Sequence, residues 1–444
     1  MPRVGSFPDA LAAFRAARLQ VCQSQLHGIP SVEAATLRAR ACLRLGDPEG
    51  AKNAVQAVTS SQSRERGELE LLSSVAFFRL GDEERSAELL RDAFVYGVSS
   101  LDIALETEVE LYKGVAFFAA GDLIACRAAC EEGLQVAFAA APRTNVPGNI
   151  PLDHIVSRIK ELLGVVAGAE GRYDTWLIHA RSALAILDRC GIPDVFQEAF
   201  ALRNLTILAR DFDVPEDAAI VAERAPDFPW TSDVSHVEFA TLEALGWCAA
   251  LRGNCVHALE HLRQADESAS TSPERIIIGV DRAIVAREVG HRAMHVEEIK
   301  HAIRLARAFD WETTVGDTRN ALLALAQVTA PIDVASAREM LDRHTSIRNA
   351  MDPTYGARIE PGPRAEEAFA HGLVLRAEGR IAASAERLQS AFETWDKIGF
   401  KWRAARAALE LVELDAGDVF RLAVRRELHQ RPHSIFATRA RLVA

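Results

Sequence analysis

The chain has 444 residues, with 49% hydrophobic and 25% charged residues and a formal net charge of −11. That is ordinary globular composition, so extensive disorder is excluded, and a generally acidic surface disfavours nucleic acid and anionic lipid as partners. No run approaches 18 uninterrupted apolar residues, so no membrane-spanning helix is expected.

The start of the chain, Met1 to Ser6, leads straight into an amphipathic stretch without the apolar core of a secretory signal. A cytoplasmic location is the expectation. The seven cysteines, at 22, 42, 126, 130, 190, 248 and 255, lack zinc-ribbon spacing. They read as small core residues, with no metal or cofactor implied.

The segment Val75-Ala76-Phe77-Phe78-Arg79-Leu80-Gly81-Asp82 recurs 40 residues later as Val115-Ala116-Phe117-Phe118-Ala119-Ala120-Gly121-Asp122. Similar helix–glycine–polar–helix units centre on Gly46, Gly171, Gly253, Gly290, Gly379 and Gly417. The spacings between these glycines are 35, 40, 50, 82, 37, 89 and 38 residues. The two long gaps imply degenerate units near 196–226 and 317–345 that lack the turn glycine. Self-similarity at such a period predicts an all-α array of about nine or ten helical hairpins. Glycine supports the left-handed conformation that ends one helix, and a following Asp, Asn or Pro opens the next.

Small residues sit seven before the turn glycine (Gly114, Gly164, Gly246, Gly372) and five after it (Ala51, Ala258). Apolar residues follow at nine (Val55, Leu90, Leu262, Ile299, Leu388), then small ones at twelve (Ala93, Gly133, Ala183, Ala265, Ala302, Ala391). Small and large residues alternating at helical spacing let antiparallel helices mesh.

On these residues the chain resembles the tetratricopeptide repeat (TPR) superfamily. The best matches are Gly164/Gly171/Ala180/Ala183, Gly246/Gly253/Ala258/Leu262/Ala265 and Gly372/Gly379/Leu388/Ala391. The stretch from Ala391 to Arg406 looks most like the helical sensor arrays of bacterial MalT/LuxR-type transcriptional regulators. The resemblance implies a right-handed superhelical solenoid with a concave groove for a peptide or protein, serving as a scaffold or sensor subunit of a bacterial regulatory complex. Homo-oligomers are compatible with it.

Three stretches rich in proline and glycine interrupt the array: Ala141–Asp153, Ala225–Ser235 and Met351–Arg364. They suggest N-terminal repeats over 1–140, central repeats over 141–350, C-terminal repeats over 351–418 and a basic cap over 419–444.

No phosphate-binding loop or Gly-x-Ser-x-Gly elbow is present, so the NTPase module of MalT-like regulators is missing. His257-Ala258-Leu259-Glu260-His261 fits an inverted zincin pattern, yet Ala258 and Leu262 are hairpin-packing positions and no third ligand is evident. The pair reads as helix-surface histidines, and the chain as no enzyme. Residues 419–444 carry six arginines and one glutamate. A capping helix is expected, with Phe420, Leu422, Ala423 and Leu428 packed and Arg421, Arg425 and Arg426 outward. Arg421, Arg425, Arg426 and Arg431 are the candidate contacts for DNA or another anion, the alternative role being a transcriptional regulator acting through this tail or a partner.

The TPR register points three inner-helix positions into the groove. They are Leu71, Val75 and Phe78; Leu111, Val115 and Phe118; and Glu243, Trp247 and Ala250, bordered by Arg79 and Tyr112. Leu71, Phe78, Arg79, Leu111, Tyr112, Phe118, Glu243 and Trp247 are therefore the candidate partner-binding residues.

Overall fold

The computed structural model describes residues 6–139, 150–311, 319–350 and 361–443. Among them every regular element is helical. The helices run in antiparallel pairs: α1 (Phe7–Arg15) with α2 (Leu19–Leu26), α3 (Val32–Arg44) with α4 (Pro48–Gln56), α5 (Ser63–Arg79) with α6 (Glu83–Ser100), and α7 (Ile103–Ala119) with α8 (Leu123–Ala139). Next come α9 (Leu152–Ala169) with α10 (Tyr173–Cys190), and α11 (Val195–Phe212) with α12 (Pro215–Arg224). Then follow α13 (Ser235–Leu251) with α14 (Cys255–Ser268), α15 (Ser272–Glu288) with α16 (Arg292–Ala308), and α17 (Arg319–Thr329) with α18 (Val334–Ala350). The last pairs are α19 (Pro361–Ala377) with α20 (Ile381–Lys397), and α21 (Lys401–Glu413) with α22 (Asp418–Gln430), before a short α23 (Ala437–Val443). The described residues thus hold eleven pairs. The glycine pattern passes over α1–α2, whose reversal uses Ala17 at φ +51° instead of glycine.

The hairpin turns follow from local chemistry. Gly253 (φ +79°) lies between α13, ending at Leu251, and α14, opening at Cys255. The Gly253 and Asn254 amides donate to Ala250 and Ala249 at 2.9 Å each, which satisfies the carbonyls at the end of α13. The Asn254 side chain then caps α14. Gly121 (φ +77°) and Asp122 repeat the device between α7 and α8. In the degenerate unit α11–α12, Asp213 takes the left-handed position at φ +51° and Pro215 opens α12.

The two helices of a hairpin differ in burial. Second helices bury one stripe, as in α14 with Ala258, Leu262 and Ala265. First helices are enclosed on most sides: α13 buries eleven residues, including Phe239, Trp247 and Leu251. They touch their own partner and also the first helices of neighbouring hairpins, as α15 touches both α13 and α17.

The chain divides into two compact units. The first holds Met1–Ala167, Thr175–Leu202 and Pro229–Val234; the second holds Gly168–Asp174, Arg203–Phe228 and Ser235–Ala444. In the first, residues 229–234 pack on the α1–α2 reversal: Asp233 accepts the Leu19 amide at 2.8 Å, and the Thr231 hydroxyl donates to the Ala17 carbonyl at 2.9 Å. In the second, Trp402 Nε1 donates to the Arg210 carbonyl at 3.0 Å, and Phe212 meets Phe400 edge-on at 5.3 Å. The end of α11 therefore lies against the α20–α21 turn, and this unit closes into a ring of hairpins.

The expected boundaries at 140/141 and 350/351 fall at or beyond the edge of the described residues. Of the third irregular stretch, Pro361 to Arg364 is helical. The prolines occupy the first turn of α19, where no intrahelical amide bond is lost.

Candidate partner-binding site

In the first unit the inner helices meet through charged pairs. Arg40 of α3 grips Glu108 of α7 with two hydrogen bonds of 2.7 and 2.8 Å, and Arg158 of α9 approaches the same carboxylate at 3.5 Å. Burial opposes ionisation of Glu108, but the two arginines outweigh it and hold the carboxyl below its usual range. Arg158 also donates to the Tyr112 hydroxyl at 3.1 Å. Arg44 pairs with Asp194 at 3.0 and 2.6 Å, with the Phe14 and Phe196 rings 4.0 and 4.7 Å from its guanidinium. His154 Nε2 donates to the Ile192 carbonyl, 2.9 Å away, and burial keeps its pKa low.

The second unit repeats the theme. Arg210 pairs with Glu243 at 2.9 Å and with Asp211 at 3.0 Å; Arg403 of α21 holds Asp211 and Glu366 at 2.9 Å each. Beside Glu243 lies Asp281 of α15. Burial and the Glu243 carboxylate push Asp281 well above the usual carboxylate range, against the pull of Trp247 and Arg210.

An aromatic cluster joins this network. The Trp247 and Trp402 rings stack at 5.5 Å with an interplanar angle of 27°, and Phe436 lies 6.4 Å from the first and 6.5 Å from the second. Such offset, near-parallel rings gain more than their buried area alone provides.

These contacts set the environment of each candidate groove residue. Leu71 and Leu111 are buried between helices, Leu71 with Leu90, Leu105 and Val109, and Leu111 with Cys126, Cys130 and Ile159. Trp247 is 6% exposed, and Glu243 is engaged by Arg210. Tyr112, Phe78 and Phe118 are half-buried, and Arg79 is exposed with its guanidinium on the Leu43 carbonyl at the end of α3. Phe117, not among the candidates, is 40% exposed. Sequence reasoning also missed Trp402 and Phe436. The only sequence signal was aromatic character near the chain end.

In α22, Phe420 and Ala423 pack as expected, but Val424 is buried where Leu422 was expected, and Leu422 is 69% exposed. The tail arginines face carboxylates of the fold. Arg421 lies 3.3 Å from Asp415, Arg426 lies 3.7 Å from Asp396, and Arg431 pairs with Asp213 and Glu427. Arg425 is exposed. In the His257/Glu260/His261 triplet, His257 Nδ1 lies 2.7 Å from the Asn254 cap and Glu260 is taken by Arg263 at 2.8 Å.

No family model matches the chain, and no curated protein matches it. Several solved structures align with it at low identity. A Rap protein complexed with Competence and Sporulation Factor aligns with a TM-score of 0.44 and 13% identity, covering 86% of this chain and 99% of that one. The Rap conjugation gene regulator of plasmid pLS20, in complex with a Phr peptide, gives 0.46 and 12% over 91% and 98%. The apo quorum sensor NprR from B. thuringiensis gives 0.45 and 12% over 85% and 96%.

Proposed function

We propose that the chain is a non-catalytic helical-repeat protein that binds a protein or peptide segment, as a sensor or scaffold subunit of a bacterial regulatory complex. The observation that carries this reading is the repeated Phe-Phe step at the ends of α5 and α7. Phe77-Phe78 and Phe117-Phe118 occupy equivalent places in adjacent hairpins, and Phe78, Phe117 and Phe118 all keep solvent-accessible ring surface. Aromatic surface repeated at one level of a hairpin array, beside Arg79 and Tyr112, has the composition of interface hot spots. The likeness of Ala391–Arg406 to MalT/LuxR-type sensor arrays favours a sensing role.

The test is crosslinking capture from the native source with the intact chain and with Phe78→Ala/Phe117→Ala. A partner held at this step is lost from the variant, with affinity falling at least tenfold, while the melting temperature stays within a few degrees. An unchanged capture profile from a folded variant refutes the assignment.

A further inference from the structure

The segment after α22 lies in the second unit much as a bound peptide would. The chain leaves the helix at Arg431, runs without regular structure through Pro432, His433, Ser434 and Ile435, and forms α23 from Ala437. The Ile435 amide donates to the Ala250 carbonyl at 3.1 Å. The His433 carbonyl passes so close to Gly253 that a Cβ there would stand 2.0 Å from its oxygen. Phe436 lies against the stacked indoles of Trp247 and Trp402, 6.4 and 6.5 Å from their centroids. At one end Arg431 rests on Asp213; at the other Arg439 reaches Glu410 at 2.7 Å and Glu413 at 2.6 Å.

Several contacts of the site are made without the segment, although Ile435 and Phe436 share one buried cluster with Trp247 and Trp402. Trp247 and Trp402 stack on each other, and Arg376 of α19 holds Glu410 and Glu413 at 2.6 and 3.0 Å independently of Arg439. Asp213 keeps one buried carboxylate oxygen, Oδ1, without a hydrogen-bond partner, so the acidic end retains capacity for a further donor. Beyond Phe436, Ala437 and Ala440 are buried and Arg439 is paired, and only the end of α23 opens to solvent, with Leu442 83% exposed.

We infer that the slot formed by Trp247, Trp402, Asp213, Glu410 and Glu413 is a recognition site for basic peptide segments carrying an aromatic residue between two arginines, and that residues 431–441 occupy it in cis as an internal competitor. The spacing of the ligand is that of Arg431, Phe436 and Arg439: an aromatic anchor for the indoles, with cations placed for the acids at either end. The inference rests on the reading of the chain as a binder of protein segments, but uses a different surface from the Phe-Phe step. A segment of about 10 μM intrinsic affinity, tethered at an effective concentration of about 1 mM, suppresses any competing peptide roughly a hundredfold. The intact chain is therefore closed to weak ligands and open to strong ones.

The test uses the full chain and a fluorescein-labelled peptide with the sequence of residues 428–444, followed by anisotropy. Phe436→Ala is expected to bind the peptide at least tenfold more tightly than the unsubstituted chain does. Replacing the peptide's phenylalanine by alanine, or the two arginines matching Arg431 and Arg439 by glutamate, should cost at least tenfold. Equal affinity of both chains, or no binding by a variant that keeps its helical circular dichroism, overturns the inference. If Phe436→Ala unfolds, Arg431→Ala/Arg439→Ala releases the segment without touching the aromatic slot, and the same criteria apply. Unfolding of both variants makes the segment a fixed part of the core and also overturns it. Failure here with Phe78/Phe117-dependent capture intact leaves the proposed function standing.

Discussion

Leu388 fills the space left by the missing side chain of Gly372: a Cβ on Gly372 would stand 2.7 Å from Leu388 Cγ and 2.8 Å from Cδ2. Gly246 and Leu262 repeat this relation at 2.9 and 3.0 Å. Each pair joins the first helix of a hairpin to the second, so the close approach of two helices depends on one absent methyl group.

Alanine replaces glycine in a helix interior with a gain of about 1 kcal/mol when space allows, whereas overpacking a core costs about 1–3 kcal/mol. Leu388 is fully buried and cannot swing away, so Gly372→Ala is expected to destabilise by about 1–2 kcal/mol in urea unfolding. Gly279 is the contrast. Its nearest neighbour to a new Cβ is Ala302 Cβ at 3.6 Å, an ordinary contact. Gly279→Ala should stabilise by up to about 1 kcal/mol. Equal effects at the two sites would show that the packing distances do not govern the outcome.

The Arg40–Glu108 pair predicts a larger effect. Glu108→Ala leaves the 6%-exposed Arg40 guanidinium without its carboxylate, and breaking a buried pair from one side costs about 3–5 kcal/mol. The double variant Arg40→Met/Glu108→Ala removes both charges of the pair, leaves Arg158 on the Tyr112 hydroxyl, and should recover part of that loss relative to Glu108→Ala and Arg40→Met taken singly. A double-mutant cycle checks this, with an expected coupling above about 2 kcal/mol. Additive losses would mean the pair contributes nothing as a pair.

Local features were legible in the sequence because they are local in physics. The turn at Gly253 needs only a left-handed residue and an Asn cap, and the mesh of Gly246 with Leu262 needs only helical spacing. The surroundings of Trp247 were not legible. Its register position points into the groove of an open solenoid, but exposure there depends on how far successive hairpins rotate. In the second unit small rotations sum until α13 meets α21, and Trp402 and Phe436 cover the indole. No sequence window holds those three residues together. The partners of the tail charges were not legible for the same reason: of the carboxylates facing Arg431 and Arg439, Asp213, Glu410 and Glu413 lie outside the tail, and only Glu427 lies within it.

Cys248 offers a kinetic test of burial. It is 2% exposed, and desolvation pushes its thiol up to about 12, despite the opposing pull of Arg252 and Arg210. Against an ordinary thiol value of 9.0, this lowers the reactive thiolate fraction by about a thousandfold. At pH 8 the native chain should be alkylated at the partly exposed Cys255 well before Cys248, and unfolding in guanidinium should equalise the two. Mass spectrometry of partly alkylated protein reads this directly, and early labelling of Cys248 would contradict its burial.

Glu367 of α19 should shape the acid limb of stability. Burial alone would raise its pKa, but hydrogen bonding with His371 and the charge and hydrogen bond of Arg348 bring it from 4.5 down to about 2. The carboxylate is therefore favoured in the folded state more than in the unfolded chain. Its contribution is present above the unfolded value near 4.5 and is lost as pH falls through the folded value near 2. Unscreened, a shift of this size is about 3 kcal/mol at neutral pH, and solvent screening at this half-buried site reduces it to about 1–2 kcal/mol. Glu367→Gln cannot titrate. It should be less stable than the unsubstituted chain by about 1–2 kcal/mol at pH 7, and the gap should close progressively between pH 4.5 and 2. Urea unfolding at pH 7, 4 and 2.5 follows the difference; a gap that stays constant across those values would assign the loss to packing and not to the charge of Glu367.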